Sequence, residues 1–118
     1  RAHLARGHTV VLFPEGTSSR GVEVLPFRPS LLEPAAGGGF PVVPAAVSYR
    51  TPAGAPPASR AVCWWGDMTF AGHFVRLLGL PGFDARVAFG SEAPREPDRK
   101  VLADNLWQAV RAQFEPVA

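Results

Sequence analysis

Apolar residues in this chain come in short runs, and Pro- and Gly-rich stretches separate them. Thr9-Val10-Val11-Leu12 is the first run. It does not alternate, so residues 8–13 read as a short strand buried on both faces. Residues 1–6 before it read as the tail of a helix, with Gly7 suited to its C-terminal cap. Residues 14–28 form a long loop. Pro29-Ser30-Leu31-Leu32-Glu33 is expected to start a helix, because Pro is tolerated in the first turn. Pro34 and Gly37-Gly38-Gly39 are expected to keep that helix short. Phe40 to Tyr49 reads as a second strand, with Pro41 and Pro44 marking an edge or a strand start. Residues 51–60 form a surface loop, Ala61 to Trp65 a third strand, and Phe70 to Leu80 a helix. Ala85 to Phe89 is a fourth strand. The plainest helix spans 97–115, where Val101, Leu102, Leu106, Val110 and Phe114 recur at helical spacing and Trp107 flanks the stripe. Strands alternating with helices predict an α/β layer fold in a single domain over 1–118.

Composition narrows the function classes. Thirteen Pro and twelve Gly among 118 residues make the chain loop-rich, while an apolar fraction of 47% still supports a modest core. The net charge is +2, and the Arg residues are scattered rather than striped, so no nucleic-acid partner is expected. The single Cys63 excludes an internal disulfide and reads as a small core residue. No apolar run approaches the roughly 18 residues of a spanning helix, and the first six residues do not read as a signal peptide. The lack of an initial Met is expected of a fragment or processed piece.

Candidate chemistry concentrates in Phe13-Pro14-Glu15-Gly16-Thr17-Ser18-Ser19-Arg20-Gly21. An apolar strand breaks there into a loop holding one carboxylate, three hydroxyls and a guanidinium. Loops hung from a rigid strand are where binding chemistry gathers. Gly16 and Gly21 have the spacing of a phosphate-binding P-loop, but Val22-Glu23 follow where Lys and Ser/Thr are required, which excludes nucleotide binding. The chain has no Gly-x-Ser-x-Gly elbow, so a serine hydrolase is disfavoured. Three His and one Cys lack metal-ligand spacing, and neither a metal nor another cofactor is expected.

Phe13-Pro14-Glu15-Gly16-Thr17 after an apolar strand resembles the third sequence block of the phospholipid/glycerol acyltransferase family, the lysophosphatidate-acyltransferase-like enzymes. Val42-Val43-Pro44-Ala45-Ala46-Val47 resembles their fourth block. Leu25-Pro26-Phe27-Arg28 is similar to the Pro-Phe-Lys/Arg segment between them, and Trp64-Trp65-Gly66-Asp67-Met68-Thr69-Phe70 is similar to a stretch of bacterial members. The resemblance covers about residues 5–110. It implies a partial glycerolipid acyltransferase fold, a mixed sheet flanked by helices. It also implies transfer of an acyl group from acyl-carrier protein or acyl-CoA to a lysophospholipid such as 1-acylglycerol-3-phosphate, or to a lyso-ornithine lipid. A peripheral or anchored place on the cytoplasmic membrane, with the site on the cytoplasmic side, follows from the same resemblance.

The family's base is a His in a His-x-x-x-x-Asp block, with the Asp orienting the imidazole. That block is absent: position +5 from His3 is His8, from His8 is Phe13, and from His73 is Leu78. No catalytic residue is therefore assigned. The chain reads as the C-terminal portion of the domain, inactive alone; the other reading is a non-catalytic lipid-binding or structural remnant. The resemblance implies acceptor binding by the third block and the residues after it, with Glu15, Gly16, Thr17, Arg20 and Arg28 as the candidates. Glu15, an acceptor of hydrogen bonds only, either meets an acceptor hydroxyl or secures the loop. Gly16 is a turn residue or a point of close backbone approach. Thr17 either bonds its own loop or meets substrate. Arg20, two places beyond the usual family Arg, is the best candidate for an anionic group, with Arg28 second or else at the rim. Trp64, Trp65, Phe70, Phe74 and Leu77 to Leu80 are core or a surface that meets the bilayer. If sheet partners lie upstream, the fragment is expected to leave apolar faces uncovered and to associate.

Overall fold

A computed structural model of the chain describes residues 2–117; Arg1 and Ala118, the outermost residues of the expected helix tail and domain, lie outside the described residues. Among the described residues, five helices and two strands run in the order α1 (Ala2–Ala5), α2 (Glu33–Gly38), β1 (Ala45–Arg50), α3 (Ala58–Ala61), α4 (Phe70–Leu78), β2 (Asp84–Phe89) and α5 (Arg99–Gln113). A 3-10 turn, Pro29–Leu32, leads directly into α2. The α/β class holds. The described sheet is an antiparallel pair, β1 with β2, in the register Ala45 to Phe89 through Arg50 to Asp84.

The core is divided. Leu32 and Ala36 meet Leu102, Ala103 and Leu106 of α5, with Phe27, Val42 and Ala93 around them. A second cluster joins Ala58, Cys63 and Val117, flanked by Tyr49, Val62 and Trp65. Asp98 caps α5 by accepting from the backbone N–H groups of Lys100 (2.8 Å) and Val101 (3.3 Å), which satisfies two of the helix's orphan donors.

Four expectations are corrected. Residues 8–13 form no regular secondary structure and no ladder, and they are not buried: Val11 is 77% and Phe13 71% exposed. An apolar run becomes a buried strand only where neighbours pair with its backbone and cover its faces, and none of the described residues does so. Ala61 to Trp65 is no strand. Pro57 precedes α3, and the backbone N–H groups of Val62 and Cys63 both bond the Ala58 carbonyl, closing a helical turn instead. The ladder of β1 starts at Ala45 rather than Phe40, since Pro41 and Pro44 lack the N–H that a ladder needs. Pro34 does not shorten α2 but sits in its first turn, and Gly39 (φ 65°) ends it.

The chain is open for its size. Its radius of gyration is 16.1 Å, against about 13.5 Å for a compact chain of this length. Its accessible surface is 7898 Å², against about 6,200 Å² for a compact monomer of this mass.

Candidate functional site

Pro14 turns the chain out of the exposed run, and the Gly16 N–H bonds the Phe13 carbonyl at 3.1 Å. The loop that follows is closed at its base, where the Arg28 N–H donates to the Pro14 carbonyl at 2.8 Å. Inside it, one Glu15 carboxylate oxygen (Oε2) accepts from the Leu25 N–H at 2.8 Å. Of the two roles open to Glu15, this geometry supplies the loop-securing one. The side chain is half-buried, and its other oxygen keeps acceptor capacity.

Gly16 has φ 72°, and a Cβ there would lie 2.8 Å from Nε and 2.9 Å from Cδ of Arg28. The absent side chain is therefore what lets the Arg28 stem cross the loop backbone. Glu15, Gly16 and Arg28 thus share one end of the loop. Thr17 is exposed, and its hydroxyl reaches only the Ser18 carbonyl, at 3.4 Å. Arg20 lies over the Trp65 ring, 5.7 Å from its centroid. A guanidinium on an indole face keeps its N–H fork free for an anion.

Three further residues hold the loop, and the motif alone does not announce them. Trp107 of α5 donates from Nε1 to the Val24 carbonyl at 3.1 Å. Val117 donates its N–H to the Gly21 carbonyl at 2.7 Å. A Cβ on Gly21 (φ 77°) would sit 2.7 Å from Val117 Cγ2 and 3.2 Å from Cys63 Sγ, so the tail packs directly on the loop backbone. Trp65 is fixed in turn, donating to the Ser59 carbonyl at 2.7 Å. The only advance signal for Trp65 and Trp107 was their size and their need for an N–H partner.

Thr17, Arg20 and Arg28 lie on open surface. A recess of about 450 Å³ is lined by Tyr49, Arg50, Asp84, Arg86 and Glu115, and another of about 290 Å³ by Ala36, Phe40, Val42, Arg95 and Leu102. Neither is lined by Glu15, Thr17, Arg20 or Arg28. His3 and His8 face each other through their Nδ1 atoms at 3.3 Å, and His73 is buried with Nδ1 unpartnered. No described His is bonded to a carboxylate, so a base with its orienting acid is absent among the described residues.

The loop is thus clipped by its own carboxylate and carries Arg20 and Arg28 at its surface. Residues 1–48 match the family model described as Acyltransferase. The lyso-ornithine lipid O-acyltransferase of Rhodobacter capsulatus is 37% identical over 113 residues, 90% of this chain and 40% of that protein. The enzyme of the same name from Brucella abortus is 33% identical, across 95% of this chain and 46% of its own length. The 1-acyl-sn-glycerol-3-phosphate acyltransferase of Neisseria meningitidis is 29% identical, across 92% and 42%. The family-model match and these relatives support the glycerolipid acyltransferase family for this chain, which spans less than half the length of these relatives. No solved structure matches it.

Proposed function

We propose that the protein containing this chain is an O-acyltransferase of membrane-lipid synthesis, and that residues 14–28 hold the polar head of its lyso-lipid acceptor. The observation that carries this reading is the clipped Glu15 loop, with Arg20 stacked on Trp65 and Arg28 laid across Gly16. The acceptor hydroxyl attacks the thioester carbonyl of an acyl-CoA or acyl-carrier-protein donor. A C–O bond forms, the C–S bond breaks, and the hydroxyl proton passes through a base to the departing thiol. That base lies outside these 118 residues, so this chain binds and orients. Because the acceptor is a bilayer lipid, we place the protein at the cytoplasmic face of the membrane.

Within the family, the lyso-ornithine lipid acceptor is favoured over lysophosphatidate by the higher identity to proteins of that name. The test is acyl transfer by the complete gene product to each lyso-lipid, with wild type and Arg20→Ala compared. Turnover on lyso-ornithine lipid with a raised acceptor KM in the variant supports the reading. Background rates on every acceptor favour the second reading, a lipid-binding remnant, to which the missing His–Asp pair points.

A further inference from the structure

Helix α4 is turned inside out. Its buried residue is the polar His73, 8% exposed, while Phe70 (61%), Val75 (68%) and Leu78 (68%) face outward together with Phe74. Of the two places open to these residues, core or surface, Phe70, Phe74 and Leu78 take the surface. The outward side chains form an ordered ridge. Trp64 meets Phe70 edge-on at 5.8 Å, and Phe70 stacks on Phe74 at 5.8 Å. Trp64 itself is pinned, donating from Nε1 to the Met68 carbonyl at 2.8 Å. Thr69 caps the helix by accepting from the Gly72 N–H at 3.2 Å.

We infer that this Trp64–Phe70–Phe74–Leu78 ridge is a lipid-docking surface that seats the chain on an anionic bilayer beside the acceptor loop. Charge identifies the occupant. Met68 to Phe83 contains no carboxylate, and Arg76 is its only formally charged residue. Arg76 and the exposed Arg60 on the adjoining α3 form no ion pair among the described residues. A second copy packed along α4 would bring this cationic rim against itself with only Asp67 to answer it. An anionic lipid surface answers it throughout, and indole and phenyl rings suit the headgroup boundary. Position agrees: Trp64 on the ridge adjoins Trp65, whose ring carries Arg20. The inference rests on the acceptor reading above, since it gives the lyso-lipid a route from bilayer to loop.

The test is hydrogen exchange of the complete gene product, with and without vesicles of phosphatidylethanolamine and phosphatidylglycerol that contain no lyso-lipid. The expected result is exchange about tenfold slower at Phe70–Leu78 on the anionic vesicles. Phe74→Asp with Leu78→Asp abolishes that slowing and leaves the exchange of Arg99–Gln113 intact; Arg76→Glu, which spares the ridge, weakens it. Three results would overturn the inference: no slowing on vesicles, protection already present without lipid, or protection that grows with protein concentration alone. A soluble short-chain lyso-lipid tests the acceptor reading separately through exchange of residues 14–28. Ridge protection without a loop response sinks that reading alone, and a loop response without ridge protection sinks this one alone.

Discussion

The Glu15 carboxylate and the Leu25 N–H, ten residues apart, are joined by a 2.8 Å hydrogen bond inside the loop of residues 14–28. The bond spans the loop's interior, while the Arg28 N–H and the Pro14 carbonyl close its base. The acid of the block thus has a mechanical task within its own loop. Its remaining oxygen keeps acceptor capacity.

Glu15→Ala removes the clip and leaves the Leu25 N–H short of its partner. A charge-assisted bond at a half-exposed site stabilises by about 1 kcal/mol, so the variant should lose about that much in urea denaturation. Glu15→Gln keeps an acceptor carbonyl and should lose less than half of it. Equal losses for Ala and Gln would show that charge, not the bond, holds the loop.

Gly21→Ala should cost about 2 kcal/mol or more, combining a left-handed backbone with a Cβ driven into Val117. The two sites are in contact, so their effects should not add. In a Val117→Ala background the Gly21→Ala cost should fall by about 0.5 kcal/mol or more. Additive losses would mean that the tail moves aside freely.

Burial pushes the Cys63 thiol above its ordinary range, and the thiolate is the reactive form. Alkylation of the native chain should therefore be slow and should track opening of the tail. Gly21→Ala should accelerate it. The raised folded value also gives a sign: stability present below the free-thiol range should decline as pH rises through the folded one. Cys63→Ala should flatten that alkaline decline.

Arg86 and Glu115 pair across the gap between β2 and the C-terminal tail. The Arg86 hydrogen bond first, and its charge second, hold the Glu115 carboxyl below its ordinary range. Both side chains are well exposed, so the effect is small. Its stabilisation is present above the ordinary carboxylate range and lost as pH falls through the depressed value. The stability difference between wild type and Glu115→Gln should shrink on acidification and in high salt.

What could be read in the sequence divides along the range of the forces involved. α5 was legible because its stripe at Leu102 and Leu106, its Asp98 cap and its length are local properties, and both residues are buried. β2 was legible from a short apolar run between turn residues. Ala61–Trp65 failed because an apolar run that short fits a helical turn as well as a strand, and Pro57 tipped it. Within the site, the motif located Glu15, Gly16 and Arg28, which do converge. It did not reveal that Trp65, Trp107 and Val117 hold the loop, since those contacts join residues up to 96 positions apart and leave no mark on local spacing. Thr17 was left open between two roles, and its hydroxyl meets only its own loop.

Residues 9–13 carry the last prediction. Val10, Val11, Leu12 and Phe13 form an exposed run outside any ladder, whose backbone is a template for another strand. The chain also shows about 1,700 Å² more surface than a compact chain of its mass, enough to cover a standard interface. The 118-residue chain by itself should therefore self-associate at micromolar concentration and melt with a broad transition. Val11→Lys with Phe13→Lys should shift its sedimentation toward monomer by charging the edge, without unfolding α5, whose core lies elsewhere. A monodisperse wild-type monomer that melts sharply would show that the run needs no partner.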